Sequence, residues 1–114
     1  MSLALRNVSL DDRYGAQPGD VLLNGNQALV RALVLQRERD RRAGLNTAGY
    51  VTGYRGSPLG GLDQALWAAA KPLHAAQVSF DPAVNEDLGA TAVWGTQQLA
   101  VMGDAKVDGV YAMW

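Results

Sequence analysis

The chain predicts an α/β fold, a parallel sheet with crossover helices, and three observations carry that prediction. Short apolar runs of strand length at 21–23, 48–52, 77–80 and 107–114 alternate with stretches of helical period. The second run, Ala48-Gly49-Tyr50-Val51-Thr52, is apolar on both faces, as in an inner strand covered by helices on each side. With 114 residues, 48% hydrophobic and 18% charged, the chain has the composition of one modest globular domain with one core.

The elements follow in order. Residues 1–20 are polar, with turn formers at Asp11, Asp12, Gly15, Pro18 and Gly19, and are expected to be an irregular surface lead-in to a domain spanning 21–114. Val21-Leu22-Leu23 reads as a first short strand, closed by the turn and cap residues Asn24-Gly25-Asn26. From Gln27, Ala28, Leu29, Ala32, Leu33 and Leu35 recur at helical spacing; charges gather at 37–42, and Gly44 supplies the stop. The arginines there suit the negative end of the helix dipole, and with Glu38 and Asp40 between them they read as a solvated helix end rather than a nucleic-acid patch. After the strand at 48–52 comes a glycine-rich loop, 53–61. A helix through Leu62, Ala65, Leu66, Ala69 and Leu73 follows, expected to end or kink near Lys71 because of Pro72. Gln77–Phe80 is the next strand and Asp81-Pro82 its turn. Leu88, Ala92, Gly95, Leu99 and Met102 mark one face of a third helix closed by Gly103, and 107–114 forms the last strand.

Charge and composition exclude several functions. A formal net charge of -1 gives no field that gathers nucleic acid or anionic membrane. The absence of cysteine removes disulfides, zinc-thiolate sites and iron–sulfur ligation from these residues. No apolar run approaches the ~20 residues of a membrane span, and no signal peptide is legible, so a cytoplasmic protein is expected. The apolar run ending at Trp114 reads as a buried strand, so the chain is expected to be a piece of a longer polypeptide with its domain incomplete at the C-terminus.

Ligands of such sheets bind outside the C-terminal ends of the strands. Two segments lie there, 53–61 and 81–89, each following a strand and preceding a helix. The first matches neither a dinucleotide fingerprint nor a P-loop. It is either a turn into the next helix or an anion cradle, in which Arg55 and Ser57 offer a fixed cation and a hydroxyl to a carboxylate. Glu86 is likewise open to two readings, an acid favoured by the helix dipole with Asn85 as cap, or a functional carboxyl group. His74 is a surface or helix-end residue, no metal site is expected, and Trp67 and Trp94 are assigned to core packing or an interface.

The segments Thr52-Gly53-Tyr54-Arg55-Gly56-Ser57-Pro58-Leu59-Gly60-Gly61 and Asn85-Glu86-Asp87-Leu88-Gly89-Ala90 together resemble the start of the indolepyruvate ferredoxin oxidoreductase family, within the 2-oxoacid:ferredoxin oxidoreductases. The resemblance runs from about Asp11 to Trp114. Family members with separate subunits carry a Tyr-Pro-Gly-Thr-Pro-Ser-Ser-like loop, against which Tyr54, Gly56 and Pro58 match. Ser57 stands for Thr, Arg55 for Pro, and Leu59-Gly60 for the paired hydroxyl residues.

The resemblance implies a thiamine diphosphate-binding type of fold and a pyrimidine-side half-site. Glu86 then faces the aminopyrimidine N1′ as the catalytic carboxyl, shielded by burial against apolar side chains, with Asn85, Tyr54, Gly56 and Pro58 as further cofactor contacts. Ser57 and Arg55 become substrate contacts. The implied reaction is oxidative decarboxylation of a 2-oxoacid to an acyl-CoA, with electrons passing through [4Fe-4S] clusters to ferredoxin and coenzyme A accepting the acyl group. The diphosphate with its Mg ion, and the clusters, belong to another part of the polypeptide or a partner subunit; the fragment alone is expected to be inactive, and a homo-oligomer is expected. Two other functions fit the same residues: a non-oxidative thiamine-dependent decarboxylase or synthase, and a non-catalytic α/β anion-binding module. The residues are also compatible with a bare scaffold fragment that binds nothing.

Overall fold

A computed structural model describes residues 9–56 and 59–114. A short 3-10 turn, Leu10–Tyr14, precedes α1 (Gly25–Arg42), β1 (Thr47–Val51), α2 (Leu62–Ala68), α3 (Ala70–Ala75), β2 (Val78–Phe80), α4 (Glu86–Thr96), α5 (Leu99–Met102) and β3 (Gly109–Met113). The strands form one parallel sheet in the order β2-β1-β3, with Gly49 opposite Val78 and Tyr111, and Val51 opposite Phe80 and Met113.

The α/β class and the parallel sheet agree with expectation, but there are three strands among the described residues, not four. Val21–Leu23 pairs with nothing in a sheet; it is the extended approach to the cap of α1, and Leu22 lies exposed. There the Asn24 side chain accepts from the Gln27 N–H at 2.9 Å while Gln27 Oε1 accepts from the Asn24 N–H at 3.1 Å, a reciprocal capping box. That box starts α1 at Gly25, two residues before its apolar spacing begins. Of the spaced apolar residues, only Leu33 is buried; Val30, Leu33 and Val34 face the core with Arg31 beside them.

The expected lead-in, 1–20, lies outside the described residues up to 8, and its described part is less irregular than its composition suggests. Ser9 caps the 3-10 turn, and the buried Arg31 guanidinium donates to the carbonyls of Asp12 at 2.9 Å and Arg13 at 2.8 Å, binding the turn to α1. Pro72 breaks the next helix two residues before Lys71. Its ring excludes the carbonyl four residues back, that of Ala68, so the chain turns at Ala69 and resumes with Pro72 inside the first turn of α3, where no N–H is needed. The third helix also divides, at Gln97-Gln98.

The core comprises Val30, Leu33 and Val34 of α1, Leu66, Ala69, Leu73 and Ala76 of the α2–α3 region, and Val51 and Val78 of the sheet. Val30 and Val51 are wholly buried. Chain order explains why it lies on one face. The crossover from β1 to β2 runs one way and that from β2 to β3 runs back past β1, so right-handed connections put α2–α3 and α4 on opposite faces. On the α4 face only Gly89 of that helix is buried, and Leu88, Trp94 and Met102 stand exposed, Trp94 at 66%. The expected inner face of the third helix is therefore a surface in this chain. No helix among the described residues is long and apolar enough to cross a membrane.

Candidate functional site at the C-terminal edge of the sheet

Because β1 and β2 are neighbours that send their chains to opposite faces, a crevice opens between their outgoing loops. Main-chain bonds hold its two banks together. Asp81 N–H donates to Val51 O and Ala83 N–H to Gly53 O, both at 2.9 Å, so pairing continues past the strand ends. Gly53 adopts φ +141, a conformation closed to side-chain-bearing residues, and this turns the loop away from the sheet.

The crevice widens into a cavity of about 550 Å³, within the range of small-molecule sites. Aromatic and apolar groups dominate its wall, among them Tyr54, Trp67, Phe80, Met113 and Trp114. Trp67 and Phe80 meet with ring centroids 5.6 Å apart at 59°, a tilted pair. The Trp114 indole packs over Gly89 of α4: a Cβ there would stand 2.9 Å from two indole atoms. Thr52, at the end of β1, is buried in the wall, and none of the described groups meets its Oγ1 in hydrogen-bonding geometry. The nearby Tyr50 hydroxyl bears on it only weakly and donates instead to Asp81 Oδ2 at 3.3 Å; burial, with the Asp81 charge, pushes the Tyr50 phenol up from its ordinary range.

Arg55 lies across the rim. Its Nε donates to Asp63 Oδ2 at 3.1 Å, and its guanidinium carbon stands 5.3 Å from the centroid of the Trp67 ring. The side chain is 76% exposed, so this arrangement orients the cation more than it stabilises the fold. An incoming carboxylate finds Nε occupied by Asp63, leaving the rest of the guanidinium fork to meet it.

Asn85 is the cap of α4, its side chain accepting from the Leu88 N–H at 2.9 Å. Glu86 is the first helical residue and stands exposed, contrary to the expected burial. In the first turn of α4 only Gly89 is covered, by Trp114, and the Glu86 side chain is left facing solvent. Glu86 is nevertheless beside the glycine loop. Its carboxylate, as a neighbouring acceptor and charge, holds the Tyr54 phenol above its ordinary range. Glu86 is not itself in the cavity wall; Tyr54 links the two.

Tyr54, Arg55, Gly56, Asn85 and Glu86 are thus gathered at one edge of the sheet, whereas Ser57 and Pro58 lie outside the described residues. Asp63, Phe80 and Thr52 belong to the site without having been singled out from the sequence as ligand-site residues. Asp63 follows Arg55 by two helical turns of chain, but nothing in that spacing reveals a pair across a loop. Trp67 is 47% exposed and serves the cavity rather than the core. His74 sits exposed in the last turn of α3. Glu38 takes both Arg41 at 2.8 Å and Arg42 at 2.7 Å, which draw its carboxyl down to about 2 and confirm the solvated helix end. Among the described residues, no three His, Cys, Asp or Glu side chains are grouped to hold a metal ion. No family model matches the chain, and neither a curated protein nor a solved structure does.

Proposed function

We propose that this chain is the pyrimidine-side half-site of a thiamine diphosphate-dependent 2-oxoacid:ferredoxin oxidoreductase, of the indolepyruvate type that its two motifs resemble. The observation that carries the reading is the meeting of those motifs at one edge of the sheet: the loop after β1 is tied to the approach to α4 by the Ala83 N–H on Gly53 O at 2.9 Å, with the Glu86 carboxylate near the Tyr54 phenol, beside an aromatic cavity. Neither motif requires the other in sequence, and a shared ligand is a reason for both to converge.

The residues fit the aminopyrimidine in three respects. Glu86 supplies an acceptor for a basic ring nitrogen at a place open to a ligand. The aromatic wall suits a flat ring, and the unmet Thr52 hydroxyl offers it a polar contact. When bound, thiamine diphosphate supplies the carbon nucleophile and electron sink that decarboxylation of a 2-oxoacid requires. Within this chain Glu86 holds or shares a proton at the ring nitrogen, and Arg55, steadied by Asp63 and Trp67, presents a cation to the substrate carboxylate. Cover over Glu86, the Mg-diphosphate contacts and the iron–sulfur clusters belong to other parts of the assembly, as do the sites for coenzyme A and ferredoxin. The exposed apolar surface of α4 and α5, with a stretch from Leu88 to Gly103 that contains no charged residue, suits such a partner.

The exposure of Glu86 also favours a second reading, a non-catalytic module that binds anions on the 53–61 loop. Titration of the protein with thiamine diphosphate, against inorganic pyrophosphate at equal charge, separates the two. The half-site prefers thiamine diphosphate and loses that preference on Glu86→Gln; equal affinity for both ligands, unchanged by Glu86→Gln, refutes it. In the assembled enzyme Glu86→Gln abolishes 2-oxoacid-dependent ferredoxin reduction.

A further inference from the structure

Among the described residues, Arg55 and Asp63 are the only charged groups in the cavity wall. They form one pair: Arg55 Nε donates to Asp63 Oδ2 at 3.1 Å, and the Asp63 side chain is only 23% exposed. Asp63 and Trp67 stand one helical turn apart on α2, so the carboxylate and the indole meet the same guanidinium from one helix face. The mouth of the cavity thus holds one positive and one negative charge, which sum to zero. Glu86 lies outside this wall and has the sign of Asp63, so it does not offset it.

We propose that Asp63 is a specificity-determining residue: it makes the cavity a site for an aromatic acid of one charge and turns away the phosphorylated counterpart. An acid with its ring among Trp67, Phe80 and Trp114 brings its anionic group to the N–H groups of Arg55 beyond Nε. That group stands one guanidinium width past the Nε–Oδ2 bond, about 5–8 Å from the Asp63 carboxylate. A lone guanidinium would favour a dianion, since each added charge is attracted. Asp63 cancels most of that gain. A carboxylate keeps its hydrogen bonds to the fork, whereas a phosphate must also shed the water of a second charge with little field to offset the loss. At so exposed a rim, the repulsion from Asp63 on that second charge is worth about three- to tenfold in affinity. That the acid is a 2-oxoacid rests on the function proposed above; the selection by charge does not.

The test titrates three ligands of one shape into the 114-residue chain by calorimetry at about pH 8: phenylacetate with one charge, phenyl phosphate with two, and neutral phenylacetamide. The wild type binds phenylacetate more tightly than phenyl phosphate. Asp63→Asn keeps an oxygen for Arg55 Nε and removes the charge; it improves phenyl phosphate relative to phenylacetate about three- to tenfold, and the gain shrinks in salt of about 1 M. Arg55→Gln weakens phenylacetate about tenfold and leaves phenylacetamide unchanged. A merely structural role for Asp63 would shift both acids alike. Three results overturn the proposal: a wild type that takes phenyl phosphate as tightly as phenylacetate, an Asp63→Asn variant with the ratio of the two acids unchanged, or no binding of any of the three at millimolar concentration. The thiamine diphosphate titration with Glu86→Gln decides the half-site separately, so either conclusion can fail while the other stands.

Discussion

Gly49, in the middle of β1, is where a single added methyl group does the most calculable damage. A Cβ at this position would stand 2.7 Å from Cε2 and 2.9 Å from Cζ of Tyr111, and 2.9 Å from Cγ2 of Val78. Carbon atoms in contact keep about 3.5–4.0 Å, so each approach is too close by roughly 0.5–1 Å. Neither neighbour yields easily, because Val78 is buried and the Tyr111 hydroxyl is anchored to the Leu33 carbonyl of α1 at 2.9 Å. Overpacking of this kind costs about 1–3 kcal/mol, and a ring forced off its anchor loses about 1 kcal/mol more. The lower chain entropy of alanine in the unfolded state returns about 0.4–1 kcal/mol. Gly49→Ala therefore destabilises by about 2 kcal/mol, which for a domain of this size lowers Tm by roughly 8–16 °C. Thermal unfolding followed by circular dichroism measures the shift, first in the wild-type background and then in Tyr111→Leu, where the share due to the ring disappears and that due to Val78 remains. A Gly49→Ala protein that melts with the wild type, or that loses as much in the Tyr111→Leu background, refutes the reasoning.

Two further predictions follow from side chains that join distant parts of the chain. Arg31→Met removes both short bonds to the Asp12 and Arg13 carbonyls; stability falls by about 2 kcal/mol, since the freed carbonyls regain water, and limited proteolysis cuts within 10–20 well before the core unfolds. Burial holds the Tyr111 phenol up to about 12, so its neutral form favours the fold. That contribution is complete below the unfolded value of about 10 and is lost as pH climbs through 12; in a urea-denaturation series, Tyr111→Phe should flatten the decline in stability over this window.

How far the sequence can be read differs from one element to another. The helical period of the apolar residues identified the three helical regions, and apolar runs bounded by turn formers identified the strands β1, β2 and β3. Val21–Leu23 failed as a strand because three apolar residues carry no period, and only pairing, absent here, distinguishes a strand from an extended approach to a cap. The break assigned to Pro72 came two residues before Lys71, since the ring acts on the carbonyl behind it.

The sequence by itself determined the α/β class and the placing of both loops after strands, and it made Glu86 and Arg55 candidates for chemistry. Those are local properties: periodicity, turn formers, and charges at the ends of elements. Tertiary structure decided the rest. It set the order β2-β1-β3, which opens the crevice, gave Arg55 its partner Asp63, and brought Glu86 near Tyr54. It also left Glu86 exposed, because burial depends on which surfaces come to lie over a helix end, and no pattern of nearby residues encodes that.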